Sequence, residues 1–478
     1  MVYIGLDFGT YTTKVAILLK DKPKLLNLEN LSDNDGFIYS FIDLESDEIG
    51  LPAYDKYKNG KGNVKYGFKL RMMEKEGKQL CIKFLSKIRE KIEKIKEEEI
   101  KDDIRIMFSA PNSWFVGRQE NETYKEILRE AGFEVNDSVI VREPYASALY
   151  HVSEEIKRLN KKVLVIDAGA GTIDMLIVNA FEKGVKYVEG SEKFYNRGGI
   201  EVDKIIKERY ELSSLYEAER LKFTASYWFG KGRDFCDFGE ENKINKIIIK
   251  REEFEEFLSD WIKELRNCLE EYKKFEFDYI LITGGFGRFY IFEKLIREIF
   301  KEKEILPHKK DSYFEDKDFI KDASVSFGCA MESSGKFKTI VNVQVNVYLI
   351  LESSIGIKEV YYDDKKCNFE NKGHGKYEIL LFNKDETLPV EKYLKNFKIN
   401  QKPLEVELDK VFYISIETPN EKKEIPIVIQ KYEKVKNKKV ENLKFKITND
   451  REFKVVFIDQ KGNEDELSSK QLREIMEG

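Results

Sequence analysis

One device occurs twice in this chain and limits the folds open to it: an apolar run ending on an aspartate, a glycine turn with a hydroxyl residue, and a second apolar run. Ile4–Ile17 reads I-G-L-D-F-G-T-Y-T-T-K-V-A-I, and Val163–Ile177 reads V-L-V-I-D-A-G-A-G-T-I-D-M-L-I. Each pattern predicts a β-hairpin. Glycines at the tip let backbone N–H groups approach phosphate oxygens, Thr10 and Thr172 add hydroxyls, and Asp7 and Asp167 can hold Mg²⁺ through its water shell. A single copy reads equally well as an ordinary glycine turn beside a solvated aspartate. Two copies facing each other would grip a phosphate chain. A third glycine turn, Leu281–Arg288 (L-I-T-G-G-F-G-R), follows a short apolar run and precedes an amphipathic segment, Phe289–Phe300.

A length of 478 residues exceeds one ordinary core, so two or three domains are expected. The 41% hydrophobic and 36% charged content is that of a globular protein, and 83 basic against 88 acidic residues gives no electrostatic reason to expect nucleic acid or an anionic membrane as partner. No apolar run approaches membrane-spanning length, and Met1 leads straight into the first phosphate strand, so the expected location is the cytoplasm. Cys81, Cys236, Cys268, Cys329 and Cys367 are scattered without a C-x-x-C pair, and only three histidines occur. These counts disfavour a disulfide framework, a zinc site and chemistry that needs a histidine base.

The order and spacing of the three turns resemble the actin-like ATPase superfamily, and within it the heat-shock seventy chaperones of the DnaK type. The resemblance implies ATP or ADP with Mg²⁺ as ligands. Gly9, Thr10 and Tyr11 would form one phosphate tip and Gly169, Ala170, Gly171 and Thr172 the other, with Asp7 and Asp167 holding hydrated Mg²⁺ and Asp174 a candidate for a monovalent ion such as K⁺. The segment Y-G-F-K-L-R matches the family's G-x-A-A-K, whose lysine reaches the γ-phosphate. Its register puts Arg71 there, with Lys69 the other candidate, and an arginine would put the rate of hydrolysis in doubt. V-R-E-P-Y-A-S-A-L-Y-H resembles N-E-P-T-A-A-A-L-A-Y and places Glu143 where a carboxylate orients the hydrolytic water. Its small residues, Ala146, Ser147 and Ala148, suit a helix packed tightly between two lobes.

The resemblance continues along the chain. I-R-I-M-F-S-A-P followed by Arg118 resembles the segment whose proline and arginine relay nucleotide state. R-G-G-I-E-V-D matches L-G-G-E-D-F-D, so Gly198 and Gly199 would contact phosphate or ribose. Glu219, Lys222 and Ser226 match a helix that clamps adenine and ribose, with Phe223 standing where the family usually has arginine. Gly284, Gly285 and Arg288 match the adenosine-binding G-G-S-T-R, with Phe286 in place of the serine. Asp322 opens D-A-S-V-S-F-G-C-A, which matches the segment closing the nucleotide domain. The fold implied is an α/β actin-like ATPase with duplicated ribonuclease-H-like lobes over residues 1–335. Two helical segments are read apart from the resemblance: Ile82–Ile100 as a charged, solvated helix, and the stripe from Phe254 to Leu269 as core.

After residue 335 the pattern turns to period 2. Val341, Val343, Val345, Val347 and Leu349 alternate with mostly polar residues, and similar runs recur at Leu404–Leu408, Phe412–Ile416, Leu443–Ile447 and Phe453–Ile458. Residues 336–346 would be linker and first strand, and 347–466 an all-β domain resembling the family's substrate-binding β-sandwich. Leu467–Met476 resembles the start of the family's helical lid, with Ser468 or Ser469 as N-cap, and residues 467–478 would be its short remnant. The functions implied are a slow Mg²⁺-dependent ATPase whose nucleotide state controls binding of apolar peptides or a dedicated client, with J-domain cochaperones and exchange factors as partners. An actin-like filament former and a small-molecule kinase are the alternatives.

Overall fold

The computed structural model describes all residues except 101, 118, 136–138, 155–160, 182–183, 189, 239–246, 307–321, 337, 341–345, 353–356, 374–375, 384–385, 387–389, 401, 404–411, 418–421, 428–439, 448–452, 460 and 469–478. It divides into two compact units, Met1–Thr339 and Ile340–Gly478.

The first unit holds two mixed sheets. In the first sheet, β1 (Val2–Phe8) and β2 (Thr12–Leu19) form the first glycine hairpin, with Asp7 opposite Lys14. β3 (Lys22–Leu25) extends it, β4 (Phe37–Tyr39) pairs the start of β2, and β5 (Phe41–Asp43), α1 (Leu51–Lys58) and β6 (Val64–Tyr66) form an aromatic-rich outgrowth. α2 (Lys75–Ile95) then packs on the sheet. Its Leu80, Cys81, Phe84, Leu85, Ile88 and Ile92 are buried, so the segment predicted as a solvated helix is one wall of the core. The solvated reading failed because the high charge of the segment outweighed its apolar face, where Phe84, Leu85, Ile88 and Ile92 continue the stripe begun by Leu80 and Cys81. β7 (Ile104–Ala110) runs parallel to β1; α3 (Ser113–Gly117), α4 (Gln119–Glu130) and β8 (Ile140–Arg142), parallel to β7, follow.

α5 (Glu143–Glu154) crosses to the second sheet, whose hairpin is β9 (Lys161–Ala168) and β10 (Ile173–Phe181), with Asp167 opposite Asp174. β11 (Gly184–Tyr187) and β12 (Lys193–Tyr195) pair β10. α6 (Gly199–Arg209), α7 (Leu215–Gly230), the ribbon of β13 (Phe235–Phe238) and β14 (Ile247–Lys250), α8 (Arg251–Phe257) and α9 (Ser259–Glu270) come next. β15 (Tyr279–Thr283) returns parallel to β9, and after α10 (Tyr290–Ile299), β16 (Glu304–Leu306) lies parallel to β15. The predicted stripe is core: Phe254, Leu258, Trp261, Leu265 and Leu269 are fully buried, divided between α8 and α9.

α11 (Ser324–Ser333) closes the unit, and small residues explain how it fits. A Cβ on Gly328 would run into the Ala146 backbone of α5, and the Ser147 and Ser324 hydroxyls share a 2.7 Å hydrogen bond. Small side chains here let two helices and β1 approach closely enough for a rigid junction. β17 (Lys338–Ile340) spans the boundary between the units.

In the second unit the described elements are strands plus one 3₁₀ turn at Leu394–Asn396. β18 (Asn346–Glu352), β19 (Val360–Tyr362), β20 (Lys365–Lys366), β21 (Phe369–Gly373), β22 (Lys376–Phe382), β23 (Val390–Tyr393), β24 (Phe397–Ile399), β25 (Lys402–Pro403), β26 (Phe412–Glu417), β27 (Lys422–Ile427), β28 (Val440–Ile447), β29 (Phe453–Asp459) and β30 (Glu464–Ser468) form three sheets, ordered β21-β22-β18-β26-β27, β20-β19-β24-β25 and β23-β28-β29-β30. Leu467 and Ser468 pair β29 as the end of a strand. The helix expected after an N-cap at Ser468 or Ser469 would fall on residues 469–478, outside those described. Residues 469–476, the strand expected at Leu404–Leu408, and Val341–Val345 lie outside the described residues.

Candidate nucleotide site

Both hairpin tips, the third glycine turn and α7 converge on one cavity of about 700 Å³ in the first unit. The tips nearly touch: a Cβ on Gly171 would lie 2.9 Å from Thr10 Oγ1 and 2.8 Å from Leu70 Cδ2. Gly284, at φ 80°, turns the third loop beneath Ala168, a conformation that a side chain would strain. Its N–H donates to Asp322 Oδ2 at 2.8 Å, and Ser324 N–H caps the other oxygen at 2.8 Å.

Of the residues singled out from sequence, Asp7, Gly9, Thr10, Tyr11, Lys69, Glu143, Asp167, Gly169, Ala170, Gly171, Thr172, Gly199, Glu219, Lys222, Phe223, Gly284, Gly285, Phe286 and Asp322 line this cavity. Arg71, Asp174, Gly198, Ser226 and Arg288 do not. Lys69, not Arg71, enters from the 3₁₀ turn Phe68–Arg71: it is 4% exposed, its ammonium lies 3.0 Å from Glu143 Oε1, and the rings of Trp114 and Phe8 stand 5.0 and 5.7 Å from it. The turn points successive side chains apart, so counting register along the sequence chose the wrong cation. The compact lysine ammonium is therefore kept.

Gly198 and Gly199 are tied to the second tip, and Gly199 also lines the cavity. Their N–H groups, with that of Ile200, donate to the carbonyls of Gly171, Gly169 and Ala170 at 3.1, 3.1 and 2.9 Å. The start of α6 thus braces the tip. Ser226 Oγ donates to the Arg288 carbonyl at 3.3 Å and accepts from Tyr290 N–H at 2.9 Å, which fixes α7 against the third glycine loop. Asp174 accepts from Thr172 Oγ1 at 2.9 Å and from Asn112 N–H at 3.1 Å. With both oxygens engaged and the side chain outside the cavity, it holds the tip in place.

Three residues matter that the sequence reading passed over. Lys14 donates to Asp7 Oδ2 at 2.9 Å, while Ser109 donates to Oδ1 at 3.0 Å; the hairpin register that puts Lys14 opposite Asp7 was a usable signal. Asp203 pairs Lys222 at 2.7 Å. Arg142, buried one residue before Glu143, pairs Glu192, donates to Asn112 Oδ1 at 2.7 Å and lies 4.6 Å over the Phe115 ring. Through Asn112 and Asp174 it supports Thr172, and no local pattern announces such a long-range chain. Arg118 lies outside the described residues.

The electrostatics are those of crowded, buried acids. Burial, and then the neighbouring Glu143, Asp322, Asp174 and Asp7, push Asp167 well above the usual carboxylate range. Burial, and then Glu143, push Asp174 up to about 7, against its hydrogen bonds from Thr172 and Asn112. Burial also raises Glu143 despite Lys69, and burial with Asp203 pushes Glu219 up to about 7. Burial disfavours the Lys14 ammonium, but Asp7, Asp322 and Asp167 outweigh it and raise its pKa. Such a site gains from an added cation.

The profile of the Hsp70 protein family matches residues 52–334. The chain belongs to the Hsp70 family. Membership brings the actin-like ATPase fold, with which these mixed sheets and flanking helices agree. Among curated relatives, the chain is 26% identical over 324 residues to the chaperone protein DnaK of Thermoplasma acidophilum, covering 59% of this chain and 51% of that protein. It is 24% identical over 338 residues to the DnaK of Metamycoplasma hominis, covering 63% and 55%. The chain thus spans about half the length of the Hsp70 relatives it matches. The profile match falls within the first unit, and among the described residues no helix is long and apolar enough to cross a membrane.

Proposed function

We propose that this Hsp70 family member is a Mg²⁺-dependent, ATP-hydrolysing chaperone whose nucleotide state governs how tightly the second unit holds an apolar peptide or a dedicated client. The observation that carries the reading is the convergence of two Asp–Gly hairpin tips, the Lys69–Glu143 pair and the third glycine turn on one cavity. The DnaK chaperones among its relatives support it. On this reading the two sheets are the duplicated ribonuclease-H-like lobes of the actin-like fold, supported by the shared plan of a hairpin whose first strand pairs a parallel neighbour. The second unit is a substrate-binding β-sandwich, supported by the three sheets that its described strands form. J-domain cochaperones and exchange factors would act as in the DnaK chaperones.

The donor set fits Mg²⁺, a hard ion suited to carboxylate oxygen and water. Asp7 and Asp167 would hold it. Among the described residues no three acidic, cysteine or histidine side chains are placed to enclose a metal directly, so it would be held through its water shell. When bound it offsets phosphate charge. The chain's own residues do the rest. Backbone N–H groups of the tips and the hydroxyls of Thr10 and Thr172 orient the phosphates. Glu143, held by Lys69, positions the attacking water, and Lys69 offsets charge developing on the transferred phosphoryl oxygens. Glu219 and Lys222 are placed to hold the sugar.

The test is binding of labelled apolar peptides to the full chain with ATP, with ADP and without nucleotide. Affinity about 5- to 150-fold weaker with ATP is expected for a coupling of about 1–3 kcal/mol. No ATP binding, or peptide affinity indifferent to nucleotide, would overturn the proposal.

A further inference from the structure

The cavity wall has two unlike parts. The hairpin tips and their neighbours contribute Asp7, Lys14, Lys69, Glu143 and Asp167. α7 and the third glycine loop contribute Glu219, Lys222, the Phe223 and Phe286 rings and the backbone of Gly284 and Gly285. Phe223, half-buried on α7, lines the cavity one turn beyond Glu219, whose carboxylate faces Tyr11 at the first tip. The Lys222 ammonium lies between the Phe223 and Phe286 rings, 4.9 and 5.1 Å from their centroids. It is already committed, paired to Asp203 at 2.7 Å and donating to the Gly199 carbonyl at 3.3 Å.

Among the described residues, the groups that would otherwise read the edge of a base are spent or missing. Ser226 gives its hydroxyl to the backbone of the third loop, 2% exposed and outside the cavity. Gly284 and Gly285 offer no side chain, and the Gly284 N–H is held by Asp322. Phe286 packs edge-on against Trp261 at 5.7 Å. We infer that the base is held by stacking on Phe223, with no side chain reading its edge, and that the site takes guanine as well as adenine nucleoside triphosphates.

The inference rests on the nucleotide reading above and narrows it to a substrate class. Stacking on an aromatic ring tolerates any base, because every base has a π-face. Discrimination by factors of 10⁴–10⁵ arises when a site builds hydrogen bonds to a substrate group and leaves its own polar atoms unpaired with the wrong one. An apolar wall discriminates by only about 10- to 200-fold.

The experiment is calorimetric titration of the full chain and of Phe223→Ala with ATP, GTP and tripolyphosphate, each with Mg²⁺. ATP and GTP are expected to bind the natural chain within about 10-fold of each other. Phe223→Ala is expected to weaken both by the same factor, about 5- to 150-fold for the loss of one stacking contact, while tripolyphosphate binding is kept. GTP binding weaker than ATP by more than about 200-fold would overturn the inference, as would equal ATP affinity in Phe223→Ala. The ratio in the natural chain decides even if the variant fails to fold. If neither nucleotide binds the natural chain, the nucleotide reading itself is overturned.

Discussion

The two hairpins share one backbone plan and differ in charge at the cross-strand position of their aspartates. Asp7 faces Lys14, whereas Asp167 faces Asp174. The first aspartate carries its own counter-charge, with Ser109 as a further donor. The second has a hydrogen bond from Thr283 at 3.2 Å and is otherwise crowded by carboxylates. A repeated device therefore need not repeat its electrostatics. The first tip pairs its aspartate within the protein, while burial and neighbouring carboxylates push Asp167 of the second tip well above the usual carboxylate range.

That contrast predicts opposite responses to substitution. Lys14→Met leaves Asp7 buried with one hydroxyl donor and should cost about 3–5 kcal/mol of first-unit stability in urea unfolding, because a buried partner is removed and not replaced. Asp174→Asn keeps shape and removes a like charge, its amide oxygen accepting from Asn112 N–H and its amide N–H donating to Thr172 Oγ1, so without nucleotide it should be neutral or stabilising. Equal losses in the two variants would break the comparison.

A smaller effect follows from pH. Asp174 and Glu219 both titrate near 7 in the folded protein, above their ordinary carboxylate values, so between about pH 4 and pH 7 the native state binds more protons than the unfolded one. Stability without ligand should be full below pH 4 and fall as pH rises through 7. For a shift of this size the upper bound is about 4 kcal/mol per group. Asp174→Asn should flatten the slope, and stabilisation by Mg²⁺ with ATP should grow over the same range. Unfolding curves from pH 5 to pH 8 with no such fall would show that the second tip is not acid-crowded.

How much of this was legible in the sequence depended on range. The hairpins were readable because period-2 apolar runs and glycine turns are local, and Asp7, Asp167 and the tip glycines of the cavity followed from them, whereas Glu143, Glu219, Gly199 and Asp322 came only from the family resemblance. The aromatic core of α8 and α9 was readable from spacing alone. What failed was orientation and distant partnership. Lys69 and Arg71 are two residues apart in a 3₁₀ turn, and only the fold decides which one meets Glu143. Gly198 and Gly199 carry a phosphate-like signature, yet their N–H groups turn to the neighbouring tip. Arg142 joins residues about 30 and 50 positions away, a relation no window along the chain contains.

The smallest expected effect separates the two tip hydroxyls. Thr172 Oγ1 donates to Asp174 at 2.9 Å, whereas among the described residues Thr10 Oγ1 has no hydrogen bond of its own. Thr172→Val deletes a donor to a buried acid and should cost about 1 kcal/mol without ligand. Thr10→Val deletes a hydroxyl that only a ligand uses, so its unliganded stability should stay within about 0.5 kcal/mol of the parent. With Mg²⁺ and ATP present both variants should lose ligand stabilisation, Thr10→Val by as much as Thr172→Val, so the gap of about 1 kcal/mol between them should persist. If Thr10→Val is costly without ligand, the first tip depends on an internal bond after all, and the division between a self-neutralised tip and a ligand-completed one must be redrawn.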